Sequence, residues 1–513
     1  MTDAEWIDGL CAMVKEQVGA HLRGKPLAEL ASLDLIEALV RKLVVALVTA
    51  FFEVWAETVE ELAVAVALTC PGCGSRRKCR RRRGAPMCLR VLGLKVKLPK
   101  PYLACERCDV LGVSIVALLT GLQSGEASSE MKLRTGYLGS QYSYGKARRE
   151  MEIHYSSKVD RTAVRRVSLE VEEHAKRFAE HQRLEALAPL EQERTMEGVS
   201  VLMLQGDGGS VRTGKLVSTE PGDVGHGELT PKRRVPKRKR LTQNREVITL
   251  DVREPGEVEP SALDLVVPIH AQEGERSRRM LALAARKGLG ESTEVIGLGD
   301  MGSSLPQSFD EAFVGHPKSH YYCDWQHVRK YVQNAGEMLG SGINVESWKQ
   351  KTRDAIWNRD EKEVERLLRR ADKHRMPKTE HMEKCPVDAL RTYLRNNWDH
   401  IDPASLKARG LDHVSGRAEA QVRDRTKYRF CVAGAWLSEN IEGKAILRAL
   451  IDEGSWKAFR ADYLHHNADR FQRELRERLD AAVKERRIDA EQRRIILETG
   501  SSLDHSTQHA IAA

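Results

Sequence analysis

Six of the ten cysteines fall between Cys70 and Cys108, a density that suits metal ligation better than disulfide bonding. Cys70-Pro-Gly-Cys73 is one CxxC knuckle and Cys105-Glu-Arg-Cys108 is a second, with 31 residues between Cys73 and Cys105. Two such pairs supply the four thiolates that tetrahedral Zn²⁺ requires, so the spacing predicts one structural zinc, with redox thiols as the alternative. Cys79 and Cys88 are read as ordinary residues, since four ligands already close the shell. A β-hairpin is expected over Leu89–Leu98, its tip carrying Arg76, Arg77, Lys78, Arg80, Arg81, Arg82 and Arg83. A charge run is usually a solvated face, but seven cations beside a zinc-binding hairpin favour contact with phosphates.

A second chemistry rests on acids. The apolar run Val199–Leu204 ends in Gln205-Gly206-Asp207-Gly208, and Glu294–Leu298 ends in Gly299-Asp300. Two aspartates at strand ends suit a pair of Mg²⁺ (or Mn²⁺) ions, one activating a nucleophilic hydroxyl and the other steadying a leaving oxygen. Gly-Asp-Gly alone is a common turn signature. Its weight comes from its setting, in which strand-Asp, a further strand and a helix lead to a second strand-Asp, followed by Asp324-Trp325-Gln326-His327.

The elements that must position these groups follow from periodicity. Glu246–Leu250 and His320–Asp324 read as further strands and Ser277–Lys287 as a helix. Strands alternating with helices, with acids just past strand ends, describe an α/β sheet with a site at one edge. Apolar spacing in residues 27–69 predicts helices for packing or oligomerisation. Tyr144–Tyr155, a short turn with Asp160 as N-cap, and a helix from Arg161 outline a helix-turn-helix. Its DNA-reading candidates are Arg161, Arg165 and Arg166, and ordinary helix packing is the competing explanation. Residues 330–410 are a charged helical stretch and 466–497 a Glu/Arg-laced helix. A second basic run, Lys232–Arg240, is expected in a flexible loop between strands, with Lys237, Arg238, Lys239 and Arg240 beside the acidic site. A nuclear-localisation signal is the weaker reading of that run.

With 513 residues, 41% hydrophobic and 31% charged, the chain has the composition of a soluble globular protein of several domains and not of a disordered one. Its formal charge of +9 is unevenly spread: residues 1–69 carry 5 Lys and Arg against 11 Asp and Glu, residues 70–110 carry 12 against 2. Clustered basic charge points to a polyanionic partner. The acidic opening Met1-Thr2-Asp3-Ala4-Glu5-Trp6 lacks the form of a secretory signal, and the most apolar segment, Leu43–Phe52, is too short to span a bilayer. The expected location is the cytoplasm, at the nucleoid, with no membrane partner.

In the order of these motifs the sequence resembles bacterial insertion-sequence transposases of the DDE class, in the Mutator-related branch and its Kra-type group. The matching residues are Cys70 to Gly74 with Cys105 to Cys108, Asp207 in its Gly-rich turn, Gly299-Asp300-Met301-Gly302, and Asp324 to His327. They continue in Val414-Ser415-Gly416-Arg417-Ala418-Glu419, Trp436, and Leu447-Arg448-Ala449-Leu450 through Ser455-Trp456, covering roughly residues 70–460. Val414 stands where the family has a glycine, and Gln421-Val422-Arg423-Asp424-Arg425 replaces its Lys-rich continuation. The resemblance implies an RNase H-like α/β core with an all-helical insertion, preceded by helices and a zinc ribbon. It implies two divalent metals held by Asp207, Asp300 and Glu419, with Asp324 and His327 at the rim of the site; a structural histidine bonded near the sheet edge is the alternative for His327. Glu439 and Glu442 compete with Glu419 as the third acid.

The domains expected on this basis are 1–69 helical, 70–110 zinc ribbon, 111–197 helical DNA-binding, 198–330 first part of the core, 331–410 insertion, 411–465 last part of the core with Glu419, and 466–513 C-terminal helix and tail. The implied function is cleavage and strand transfer at the ends of a mobile element. The partner is double-stranded DNA, bound by a homodimer or larger assembly. The alternatives are an inactive or domesticated zinc-ribbon DNA-binding protein and a nuclease that hydrolyses without joining.

Overall fold

The computed structural model describes residues 12, 15–16, 19, 23, 73, 79–83, 87–91, 94–98, 101–105, 107–108, 127–155, 157–191, 198–218, 238–257, 262–266, 274–376, 385–416, 420, 423, 436–437, 441–485, 488, 490–491, 493–494 and 497. The helices expected over 27–69, and the candidates Cys70, Arg76, Arg77, Lys78, Lys237, Glu419 and Glu439, lie outside these residues. The chain divides into two compact units, residues 1–138, 144–164 and 461–513 in one and residues 139–143 and 165–460 in the other.

In the first unit β1 (Cys79–Arg83) pairs antiparallel with β4 (Pro101–Cys105), and between them in sequence β2 (Met87–Val91) pairs antiparallel with β3 (Leu94–Leu98). Arg80 to Arg83 therefore lie along a strand, opposite Ala104, Leu103, Tyr102 and Pro101, and not at a hairpin tip. Four consecutive arginines have no apolar alternation to announce a strand, so only the backbone ladder to β4 reveals it. Helices α1 (Ser129–Gln141) and α2 (Tyr144–Tyr155) follow, and α3 (Arg161–Glu191) belongs from Arg165 onward to the second unit. Asp160 caps α3 as expected, its carboxylate accepting from the Ala163 N–H at 2.8 Å. With 31 residues, α3 continues well beyond a recognition helix, and Arg161, Arg165 and Arg166 on its first turns are exposed.

The second unit is built on a six-stranded sheet. Its path is β7 (Ala262–Val266), β6 (Arg238–Arg253), β5 (Val201–Ser218), β8 (Glu294–Gly299) and β9 (Ser319–Cys323), with β10 (Trp436–Leu437) pairing β5 farther along. β6 runs antiparallel to both β7 and β5, whereas β5, β8, β9 and β10 run parallel. Even-numbered residues of β5 (Leu202, Leu204) face an apolar layer with α4 (Glu275–Arg286) and α5 (Leu305–Ala312), through Met280, Leu283, Leu305 and Phe309. Odd-numbered residues face the other way. Met203 packs with Ile296 and Leu298 against Leu406 and Leu411, and Val211 packs with Val247 against α11 (Ile441–Asp452).

The sequence reading placed Asp207 at the end of a strand and Arg238 to Arg240 in a flexible loop. Both lie inside one long antiparallel ladder, Asp207 opposite Thr249 and Arg238, Lys239 and Arg240 opposite Ser218, Val217 and Leu216. A glycine-rich stretch signals a turn, but here continuous pairing with β6 carries the strand through Gly206-Asp207-Gly208-Gly209.

From β9 the chain enters helices α6 (Trp325–Glu337), α7 (Val345–Trp357), α8 (Glu361–His374), α9 (Pro386–Asn397) and α10 (Pro403–Ala408). Side-chain N-caps at Asp324, Asn344, Asp360 and Asp402 open four of them. Their apolar faces share one core that includes Trp325, Val332, Trp348, Leu367, Leu368, Leu390 and Leu394, and Cys323 of β9 belongs to the same core. In the C-terminal region α12 spans Trp456–Lys484. Among the described residues no helix is long and apolar enough to cross a membrane.

Candidate functional site

Strand register brings the two aspartates together. In the parallel pair β5·β8, Gln205 stands opposite Leu298, and in β8·β9 Leu298 stands opposite Tyr322. Two residues further along each strand, on the same face, come Asp207, Asp300 and Asp324. Neighbouring strands lie about 4.8 Å apart, so Asp207, inside β5, stands in a row with Asp300 and Asp324, which directly follow β8 and β9. The row borders the Met203–Leu411 cluster but is itself polar. Glycines open it on one side, since the Gly208 N–H donates to Asp207 Oδ1 at 2.8 Å and the Gly302 N–H to Asp300 Oδ1 at 2.9 Å.

The three acids differ in environment. Asp300 is half-exposed and ionised, its carboxyl held below the usual range first by the hydrogen bond from His327, against the opposing effect of burial. His327 Nδ1 lies 3.3 Å from Asp300 Oδ1, and its imidazole is pushed up by that bond and by the charges of Asp300, Asp324 and Asp207. Asp207 is half-buried. Asp324 is fully buried at 0% exposure and both its oxygens are engaged. Oδ1 accepts from the Gln326 N–H at 2.8 Å, which caps α6, and Oδ2 accepts from the Ser415 hydroxyl. Of the pair assigned to the rim, His327 touches a carboxylate of the row, whereas Asp324 is an internal cap.

The face beneath the acids is built around Tyr321. Its ring crosses Gly297 and Gly299, where a Cβ at Gly297 would collide with it and stand 2.9 Å from Phe309. The Tyr321–Phe309 ring centroids are 5.3 Å apart. Burial, then the charges of Cys323, Asp300, Asp324 and Asp207, push the Tyr321 phenol up and keep it neutral. Cys323, also buried, is pushed up to about 12 by that burial and shares a 2.8 Å contact with Tyr393 Oη, so it is an inert thiol.

In the first unit the sulfurs of Cys73, Cys105 and Cys108 lie within 4.8 Å of one another, a group that could hold a metal ion. The Cys73 and Cys105 sulfurs are 3.6 Å apart. Backbone N–H groups of Cys108 and Arg107 bring the Cys105 thiol down to about 6, toward the thiolate that a metal ligand must be. Glu442, one rival for the third acid, is engaged elsewhere, 3.4 Å from the buried Arg279 and 4.0 Å from Lys176.

Sequence reasoning missed Gln205, Arg253, Asp412 and Ser415, which tie residues 411–415 to the sheet. Gln205 Nε2 donates to Asp412 Oδ2 at 2.9 Å, and Arg253 donates to the same oxygen. No periodicity marks such contacts, because their partners lie up to 207 residues apart. The one available signal was Gly297-x-Gly299, which marks a strand face over which a large side chain passes.

The described residues define a mixed α/β protein rich in helix. No protein family model matches the chain, and no curated protein matches it. Among solved structures, the Drosophila P element transposase strand transfer complex overlaps 75% of this chain and 93% of that one, at 11% identity and a TM-score of 0.22. A likeness that loose carries no argument.

Proposed function

We propose that the second unit is an RNase H-like core and that the protein is a DDE-type transposase acting on double-stranded DNA. The observation that carries this reading is the parallel register of β5 and β8, in which Gln205 stands opposite Leu298, two residues before Asp207 and Asp300. The strand path supports it as well, with three antiparallel strands continued by two parallel ones and crossover helices on one face. So does the block of helices between Asp300 and the segment that leads to Glu419.

Asp207, Asp300 and Glu419 would hold two Mg²⁺ (or Mn²⁺) ions. Half-exposed carboxylates, one ionised well below neutrality and both flanked by glycines, fit that donor set. When bound, such ions supply a nucleophilic oxygen at neutral pH and charge stabilisation for the leaving one. The chain's own part is to hold the carboxylates in one plane on rigid strands, and to orient Asp300 through His327. The cations of β1 and β6 and the exposed Arg161, Arg165 and Arg166 at the start of α3 would contribute sequence-independent phosphate affinity. Cys70, Cys73, Cys105 and Cys108 would close one structural zinc site, for which the three gathered thiols supply the fit.

Metal-dependent nicking and joining of labelled duplexes carrying the element's terminal repeats tests the proposal. The expected result is cleavage followed by strand joining, abolished by Asp207→Asn with DNA binding retained. Cleavage without joining would make the protein a nuclease, and binding without cleavage a DNA-binding protein only.

A further inference from the structure

Helix α6 carries a cation and an aromatic ring beside the acidic row. His327, which meets Asp300, is followed three and four residues on by Lys330 and Tyr331, and residues so spaced are neighbours on a helix surface. Cα–Cβ bonds tilt toward the helix N-terminus, so both side chains lean back toward His327. Lys330 is exposed and forms no ion pair at contact distance among the described residues. Tyr331 is half-buried, one face of its ring lying on Tyr393 at 4.1 Å between centroids and 23° between planes. Tyr393 is itself buried, its Oη 2.8 Å from Cys323 Sγ. Both groups sense Asp300. Its carboxyl is lowered first by His327 and also by the Lys330 charge, and the Tyr331 phenol is raised by burial and then by the charge of Asp300. The helix is a firm carrier, capped by Asp324 and held in the helical core by Val328, Val332 and Ala335, all without exposed surface.

We propose that Lys330 and Tyr331 bind a DNA strand beside the aspartate pair, the ammonium taking a phosphate and the ring a base that has left the duplex stack. The inference rests on the DNA-cleaving reading above and deepens it, for it names the form of DNA held there, a strand with an unpaired end. A cation beside carboxylates offsets the repulsion that a phosphate meets among them. An aromatic ring accepts any base, because every base has a π-face. A ring already stacked on a second ring keeps its orientation without a ligand, so little freedom is lost when a base arrives. Paired bases lie stacked on their neighbours and offer no free face, so the ring selects unpaired DNA.

Fluorescence anisotropy with the full chain, in Zn²⁺ and without Mg²⁺ so that binding is read apart from cleavage, tests the pair. It compares a labelled blunt duplex with the same duplex carrying an unpaired 3′ extension. Tyr331→Ala is expected to weaken binding to the extended duplex by about 5- to 100-fold and to leave the blunt duplex near wild type. Tyr331→Phe, which keeps the ring, should bind both as wild type does. Should Tyr331→Ala lose its circular-dichroism signature, Tyr331→Leu carries the same expectation. Lys330→Gln should reduce the salt slope on the extended duplex by about 0.7. Arg329→Gln, which removes an exposed cation on the opposite side of the same helix, should leave that slope unchanged. Equal losses on the two DNAs, no loss on either, or the same slope for Lys330→Gln and Arg329→Gln would overturn the assignment. A wild-type chain that binds neither DNA would sink the DNA reading itself, and this inference with it.

Discussion

The cysteine cluster and the aspartate pair both gather chemical groups from separate parts of the chain, and they do so by opposite means. Cys105 and Cys108 are three residues apart, at the end of one strand and in the turn after it, so local geometry already sets two of the sulfurs. Asp207 and Asp300 are separated by a hairpin, an edge strand and a crossover helix, and they meet only because β5 and β8 pair in parallel at a fixed register. A motif made by spacing tolerates distant change, whereas a motif made by register depends on the sheet. One-residue slippage would turn Asp300 to the opposite face.

That contrast sets the largest expected effect. Chelation of zinc, or Cys105→Ser, should collapse the region around β1–β4, because structural zinc sites contribute on the order of 10 kcal/mol of folding free energy. The six-stranded sheet should keep its circular-dichroism signature and cooperative melt. Elemental analysis should find about one zinc per chain before treatment and none after. Equal zinc content in the variant would break the comparison on its first side.

On the second side, Asp300→Asn should lower DNA cleavage by about 10³-fold, roughly 4 kcal/mol of barrier, while zinc content and melting stay near wild type. A smaller effect follows from the register itself. Gly297→Val drives a side chain into Tyr321 and Phe309 and should cost about 1–3 kcal/mol of stability, read from the denaturant midpoint. If the sheet absorbed valine without loss, Gly297 would not be holding β8 and β9 at their spacing.

How far these features could be read in the sequence follows the same division. The Cys105–Cys108 pair, the 89–98 hairpin, the Asp160 cap and the helices after Asp324 rest on neighbours within four residues or one helical period, so pattern alone exposes them. Asp207 was legible as a residue and misplaced as a position, because Gly-Asp-Gly-Gly looks like a turn until β6 is seen running beside it. The arginines of β1 were taken for a tip, since a charged run carries no period. The contacts of Ser415 and Asp412 were invisible, because their partners lie 91 and 207 residues away.

The smallest expected effect concerns the His327–Asp300 pair. His327 is raised above its ordinary 6.5, so the pair's contribution is whole below that value and is lost as pH climbs through the raised one. Asp300 is lowered below its ordinary 3.8, so the contribution is whole above that value and is lost as pH falls through the lowered one. Metal-free protein should therefore lose a little melting temperature above neutrality that His327→Ala does not lose. Parallel pH profiles for the two proteins would remove the pair from the account.

The central claim is that Asp207 and Asp300 form one divalent-metal site. Anomalous scattering from crystals soaked in Mn²⁺ tests it most directly. The account predicts a peak at direct coordination distance, about 2 Å, from carboxylate oxygens of both residues, absent from Asp207→Asn crystals. Mn²⁺ bound elsewhere on the chain, with no peak between these two carboxylates, would contradict it.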